Sequence, residues 1–167
     1  MAGSTVLGLD PGSRNTGWGI VREESGVLTM VDAGVIRVQC LGDIDMRLGT
    51  IFDGVSGIIK RHEPLEAAME DVFVAANPGS ALKLGQARGA AMAACAVAGI
   101  RVSPYAPTAV KKSLVGVGRA EKSQVAFMIA QVLGCKKPLA ADATDALAVA
   151  VCHLNQRRFK RLAGARA

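Results

Sequence analysis

Three apolar, strand-like runs stand one after another at the front of this chain, before any segment takes up helical spacing. That order alone excludes an all-helical fold. "TVLGLD" (5–10) is an apolar run closed by a turn, as a buried strand reads. "TGWGIVREE" (16–24) and "GVLTMVDAGVIRV" (26–38) follow as strands, and the Glu23-Glu24-Ser25-Gly26 stretch between them has hairpin chemistry. From Asp43 to His62 the period changes: Ile44, Leu48, Ile51, Val55, Ile58 and Ile59 recur as on one face of an amphipathic helix, which Pro64 ends. "LEAAMEDVFV" (65–74) reads as the next strand. "NPGSALKLGQARGAAMAACAVAG" (77–99) reads as a helix with Ser80 as N-cap and Gly99 as C-cap. "IRVSPY" (100–105) is a short strand, and "PTAVKKSLVG", "AEKSQVAFMIAQVLG" and "AADATDALAVAVCHLNQRRF" are helices. The predicted order is β-β-β-α-β-α-β-α-α-α.

The 167 residues suit one domain with a real core, here 1–157, followed by a basic tail at 158–167 that is expected to fray. Half the residues are hydrophobic and few are aromatic, which describes a packed α/β protein. The net charge of +6 points toward a polyanionic partner without naming one. Cys40, Cys95, Cys135 and Cys152 have no CxxC spacing, and there are two histidines, so reduced thiols are expected rather than a zinc site. No charged leader ahead of an apolar stretch opens the chain, and the charge-free run 89–100 is too short to span a bilayer. The expected setting is cytoplasmic, with no membrane.

The acids that end apolar elements, rather than lying on solvated faces, single themselves out. Asp10 closes the first strand ahead of Pro11-Gly12. Glu70 or its neighbour Asp71 closes the strand after Pro64. Asp142 and Asp145 open the last helix, three apart and therefore on one face. Should the first and fourth strands be neighbours with the last helix over their ends, the acids converge. Carboxylates that close raise one another's pKa unless cations sit between them, and an all-oxygen set suits Mg²⁺ or Mn²⁺. Two such ions are an apparatus for in-line phosphodiester cleavage. Each site also has a plainer reading. Asp10 serves as a turn former, Glu70 or Asp71 as an exposed strand end, and "DATD" as good N-terminal helix chemistry. Strand alternation does not choose between Glu70 and Asp71.

"GLDPGSRNTGWG", "EDVFVAANPGSALKLGQARG", "VGVGRAEKSQV" and "ADATDALAVA" resemble, in order and spacing, the RuvC family of Holliday-junction resolvases. The resemblance covers essentially the whole chain. It implies a ribonuclease H-like fold, an α/β architecture with a central mixed five-stranded sheet flanked by helices. It also implies a homodimer that nicks two opposing strands of a four-way DNA junction, leaving 5′-phosphate and 3′-hydroxyl ends. Two Mg²⁺ per subunit, with Mn²⁺ as substitute, would be held by Asp10, Glu70, Asp142 and Asp145. The family pattern thus favours Glu70 over Asp71, which stands where other members commonly have Gln.

By the same resemblance Lys111 and Lys122 lie near the scissile phosphate, where a cation offsets developing charge, and Arg119 contacts DNA. Phe73 would stack on an unpaired base at the crossover; read alone, "VFV" is core. Gly85 and Gly89 give the helix of "NPGSALKLGQARG" a small face, suited either to core packing or to a two-fold interface, and the resemblance favours the interface. RuvA and RuvB, the branch-migration proteins, are the further partners implied. Two rival classes remain at this stage. "GLDPGSRNTGWG" also resembles the phosphate loop of actin-like ATPases and sugar kinases, although those need a second such domain. A non-catalytic junction-binding protein is the other rival, and it would have no use for four clustered acids beside a polyanion.

Overall fold

The computed structural model describes residues 3–71 and 77–164. The element order is the predicted one: β1 (Ser4–Pro11), β2 (Asn15–Glu24), β3 (Val27–Arg37), α1 (Ile44–His62), β4 (Glu66–Glu70), α2 (Pro78–Val97), β5 (Val102–Tyr105), α3 (Pro107–Val115), α4 (Lys122–Leu133) and α5 (Ala141–Gly164). The strands form one sheet in the order β3-β2-β1-β4-β5. β1–β2 and β2–β3 pair antiparallel, while β1–β4 and β4–β5 pair parallel, so the sheet is mixed. Ser25 and Gly26, both at positive φ, make the turn between β2 and β3, the conformation that matches the twist of a two-residue hairpin.

Alternation along the central strands builds two cores. Leu7, Leu9, Ala67 and Met69 point to one face of the sheet and pack with Ile51, Val55 and Ile58 of α1 and Ala87, Ala91 and Ala94 of α2. Val6 and Ala68 point to the other face, where α3, α4 and α5 pack. Of the apolar residues expected on the buried stripe of α1, Ile44 is exposed, because it lies at the helix's first turn beyond the edge of the core.

What holds α5 against the sheet is a row of absences. A Cβ on Gly8 would lie 2.0 Å from the Ala146 carbonyl oxygen, one on Gly17 would lie 1.9 Å from that of Asp142, and one on Gly19 would meet Leu147. Gly8 pairs with Gly19 across the β1–β2 ladder, and Gly17 pairs with Asp10. Backbone therefore touches backbone there, as only glycine permits. Halfway along the helix, His153 is buried, with Nε2 2.5 Å from a Glu66 carboxylate oxygen and Nδ1 2.9 Å from the Tyr105 hydroxyl. Arg157 adds donors to Glu66, Glu23 and Ser4. Burial works to raise the pKa of Glu66, but the His153 and Arg157 hydrogen bonds outweigh it and hold the group below its ordinary value.

Two expectations are corrected. The cap of α2 is Asn77, not Ser80: its side chain accepts from the Gly79 and Ser80 amides, because Pro78 takes the first helical position and the cap must precede it. β4 ends at Glu70, short of the expected run to 74, and residues 72–76 lie outside those described. Residues 158–164 continue α5 as exposed helical turns, and no glycine or proline interrupts the helix before Gly164. All four cysteines are free, and among the described residues no helix is long and apolar enough to cross a membrane.

Candidate active site

The register of β1 against β4 runs Val6–Glu66, Leu7–Ala67, Gly8–Ala68, Leu9–Met69, so the next step sets Asp10 beside Glu70. Asp10 shares its strand face with Gly8, and Glu70 shares its own with Ala68, so both side chains point toward α5. The close approach at Gly17 then brings the first turn of that helix over the same strand ends. Asp142 and Asp145 arrive with it. Asp71, one residue on, is turned the other way and pairs with Arg88 of α2 at 3.1 Å. The choice that spacing alone left open is thus made by the sheet.

The electrostatics report the convergence. Asp10 is pushed up to about 7, first by burial and then by the charges of Asp145, Glu70 and Asp142, with Lys122 opposing. Glu70 is raised by burial and by Asp145, and the ammonium groups of Lys122 and Lys111 pull it back. Lys122 is raised in turn, chiefly by its hydrogen bond to Asp145, whose Oδ2 lies 3.2 Å from Nζ. It reaches that position because a capping box between Glu121 and Gln124 starts α4 immediately before it. Lys111, on α3, lines the same small cleft as Glu70, Lys122 and Asp145.

The chemistry of this donor set fits a hard divalent cation: all oxygen, strongly negative, and carrying more charge than one lysine neutralises. A further sign is Asn15, whose Nδ2 donates to Asp142 Oδ2 at 3.1 Å while its Oδ1 is buried with no partner among the described residues. That orphaned acceptor suits an ordered water of a hydrated ion. Among the described residues, no three acid, histidine or cysteine side chains are drawn in to the distances of a single ion's ligand shell. The four acids are gathered within Coulombic reach rather than closed, with the Lys122 ammonium held against Asp145.

Of the remaining expected residues, Arg119, Gly85 and Gly89 are among those described. Arg119 is exposed in the turn between α3 and α4. Gly85 and Gly89 are exposed on the outer face of α2, where a Cβ would meet nothing within 4 Å among the described residues, so they do not pack into the core these residues form. Phe73 lies outside the described residues. Sequence reasoning missed Asn15 and Arg88. The available signal for Arg88 was a cation placed directly ahead of the charge-free run of α2; Asn15 gave none, since asparagine is ordinary in a turn.

Residues 6–153 match the family model described as crossover junction endodeoxyribonuclease RuvC. A protein of that name from Solidesulfovibrio magneticus is 65% identical over 96% of this chain and 95% of its own length. One from Oleidesulfovibrio alaskensis is 61% identical over 96% of each. Among solved structures, Thermus thermophilus RuvC in complex with Holliday junction substrate superposes with a TM-score of 0.89 at 32% identity, covering 94% of this chain and 96% of that one. Sequence, fold and the acid-lined strand ends therefore agree: the chain belongs to the RuvC family of crossover junction endodeoxyribonucleases.

Proposed function

We propose that the chain resolves four-way DNA junctions by metal-dependent hydrolysis of one phosphodiester per subunit, leaving 5′-phosphate and 3′-hydroxyl ends, with Asp10, Glu70, Asp142 and Asp145 as the groups that hold two Mg²⁺ or Mn²⁺ ions. The observation that carries this reading is Asp10, a half-buried carboxylate at the end of a strand, raised to about 7 by desolvation and by three other acids. In a nuclease such stored repulsion is useful when cations relieve it. When bound, the ions supply Lewis-acid activation of water and neutralise charge on the departing oxygen. Among the chain's own residues, Asn15 fixes the rotamer of Asp142. Lys122 and Lys111 place positive charge beside the cleft that would receive the phosphate. Arg119 and Phe73 are assigned to the DNA by resemblance.

The test is cleavage of a synthetic four-way junction against linear duplex of equal sequence, with and without Mg²⁺. Paired nicks confined to the junction and to the metal-containing arm are the expected result. Nicking without metal, or equal nicking of duplex, would refute the proposal. In the same assay Lys122→Ala should slow single-turnover cleavage by about 10²–10³-fold, the usual effect of removing a group that stabilises transition-state charge, with little change in junction affinity. Lys111→Ala should act in the same sense. A variant that lost affinity at an unchanged single-turnover rate would instead identify its lysine as a binding contact.

Two nicks related by symmetry call for a symmetric protein, and we assign the two-fold contact to the outer face of α2, where Leu82, Gly85, Gly89 and Met92 lie exposed in a stripe. Gly85→Leu should convert the dimer to a monomer by light scattering. The fold should survive, because the new side chain projects into open space and leucine favours helix over glycine by roughly 1 kcal/mol. An unchanged dimer would move the interface elsewhere. A cytoplasmic setting and action beside RuvA and RuvB complete the proposal.

A further inference from the structure

Glu70 is the last residue of β4, and a strand end is a poor place to fix a side chain, because its backbone leaves the ladder there. Two bonds hold it. On one side the Asp71 amide donates to the Tyr105 carbonyl at 2.7 Å, extending the pairing with β5 by one residue. On the other, Arg88 reaches across from α2: Nη1 donates to the Glu70 carbonyl oxygen and Nη2 lies 3.1 Å from Asp71 Oδ1. The guanidinium is largely buried, its side chain 17% exposed against 54% for Asp71. One planar fork thus grips the backbone of the acid and the side chain of its neighbour, a geometry that an ammonium cannot reproduce. The arrangement also gives Asp71 a role. It faces α2 and anchors the guanidinium, standing outside the acid cluster.

We propose that Arg88 is a positioning residue for Glu70: it acts through the backbone carbonyl to hold the carboxylate toward Asp10 and Asp145, with Asp71 as the anchor that orients its fork. The proposal rests on the reading of Glu70 as a metal-holding acid. Outer groups that orient ligands typically change metal affinity or activity by 10–100-fold when removed.

Arg88→Ala and Arg88→Lys, with Asp71→Ala and the Arg88→Ala/Asp71→Ala double variant, test it in the full-length protein. Three quantities are read: Mn²⁺ binding in the absence of DNA by calorimetry, junction affinity without divalent metal, and single-turnover cleavage across a Mn²⁺ titration. Arg88→Ala should weaken Mn²⁺ binding and shift half-maximal cleavage to about tenfold or more higher Mn²⁺, with junction affinity unchanged. Arg88→Lys, which retains charge and most of the packing, should fall between it and wild type. The double variant should be no worse than Arg88→Ala, since both changes undo one clamp. Glu70→Gln, run in parallel, separates the two layers. Wild-type cleavage by Glu70→Gln would overturn both the site reading and the clamp. An inactive Glu70→Gln beside an Arg88→Lys and an Arg88→Ala that bind Mn²⁺ as wild type would overturn the clamp alone. Loss of junction affinity with normal Mn²⁺ binding would also overturn it, making Arg88 a DNA contact.

Discussion

Asp10→Asn should abolish junction cleavage and at the same time make the metal-free protein more stable at pH 8. The two effects share one cause. Asp10 titrates at about 7 in the fold, raised by burial and by Asp145, Glu70 and Asp142, against 3.8 for an unperturbed group. Between those values the folded protein binds a proton that the unfolded chain has released, so stability falls as pH climbs from about 4 through 7. Above that range the wild type carries a half-buried charge facing three others, and asparagine keeps the shape without the charge. The melting temperature of Asp10→Asn should therefore exceed that of wild type at pH 8 and approach it near pH 4. Mg²⁺ should raise the wild-type melting temperature at pH 8, more than at pH 5 where protons compete, and leave the variant unmoved. Glu70→Gln, Asp142→Asn and Asp145→Asn should likewise stop cleavage while junctions still bind, because these changes remove no positive charge from the chain. A variant that nicks at the wild-type rate drops out of the site. An Asp10→Asn protein melting below wild type at pH 8 without metal would contradict the electrostatic account.

The second large effect concerns a residue with no functional group. Gly17→Ala should cost stability and cleavage together, although alanine is the better residue in most backbones. The added Cβ would lie 1.9 Å from the Asp142 carbonyl oxygen, which is backbone and cannot swing aside, so the first turn of α5 must lift from the sheet. Overpacking of this kind costs about 1–3 kcal/mol, and here the lifted turn carries Asp142 away from Asp10 and from the Asn15 amide. Gly8→Ala should behave alike, through the Ala146 carbonyl. Gly57→Ala on α1 is the matched control. The same methyl meets nothing there, and it should stabilise by up to roughly 1 kcal/mol with cleavage intact. Thermal melts beside junction assays separate these outcomes. Wild-type melting and activity for Gly17→Ala would mean that α5 does not lie on the sheet at that point.

The contrast between Gly17 and Gly57 marks how far the chain could be read as letters. Hydrophobic period, turn residues and breakers are local signals, and they determined the ten elements in order, the buried stripe of α1, the hairpin at Ser25-Gly26 and the shared face of Asp142 and Asp145. They also singled out Asp10 as an acid that ends a buried run. The tertiary structure alone decided which acids look at one another. Glu70 faces α5 and Asp71 faces α2 because the parallel register with β1 fixes which residues of β4 share a side with Gly8, and a shift of one residue would exchange them. Lys122 meets Asp145 across 23 positions of sequence and Asn15 meets Asp142 across 127, distances over which no periodicity carries information. Those pairings follow from where α4 and α5 come to rest, and α5 rests where Gly8, Gly17 and Gly19 leave room for a backbone.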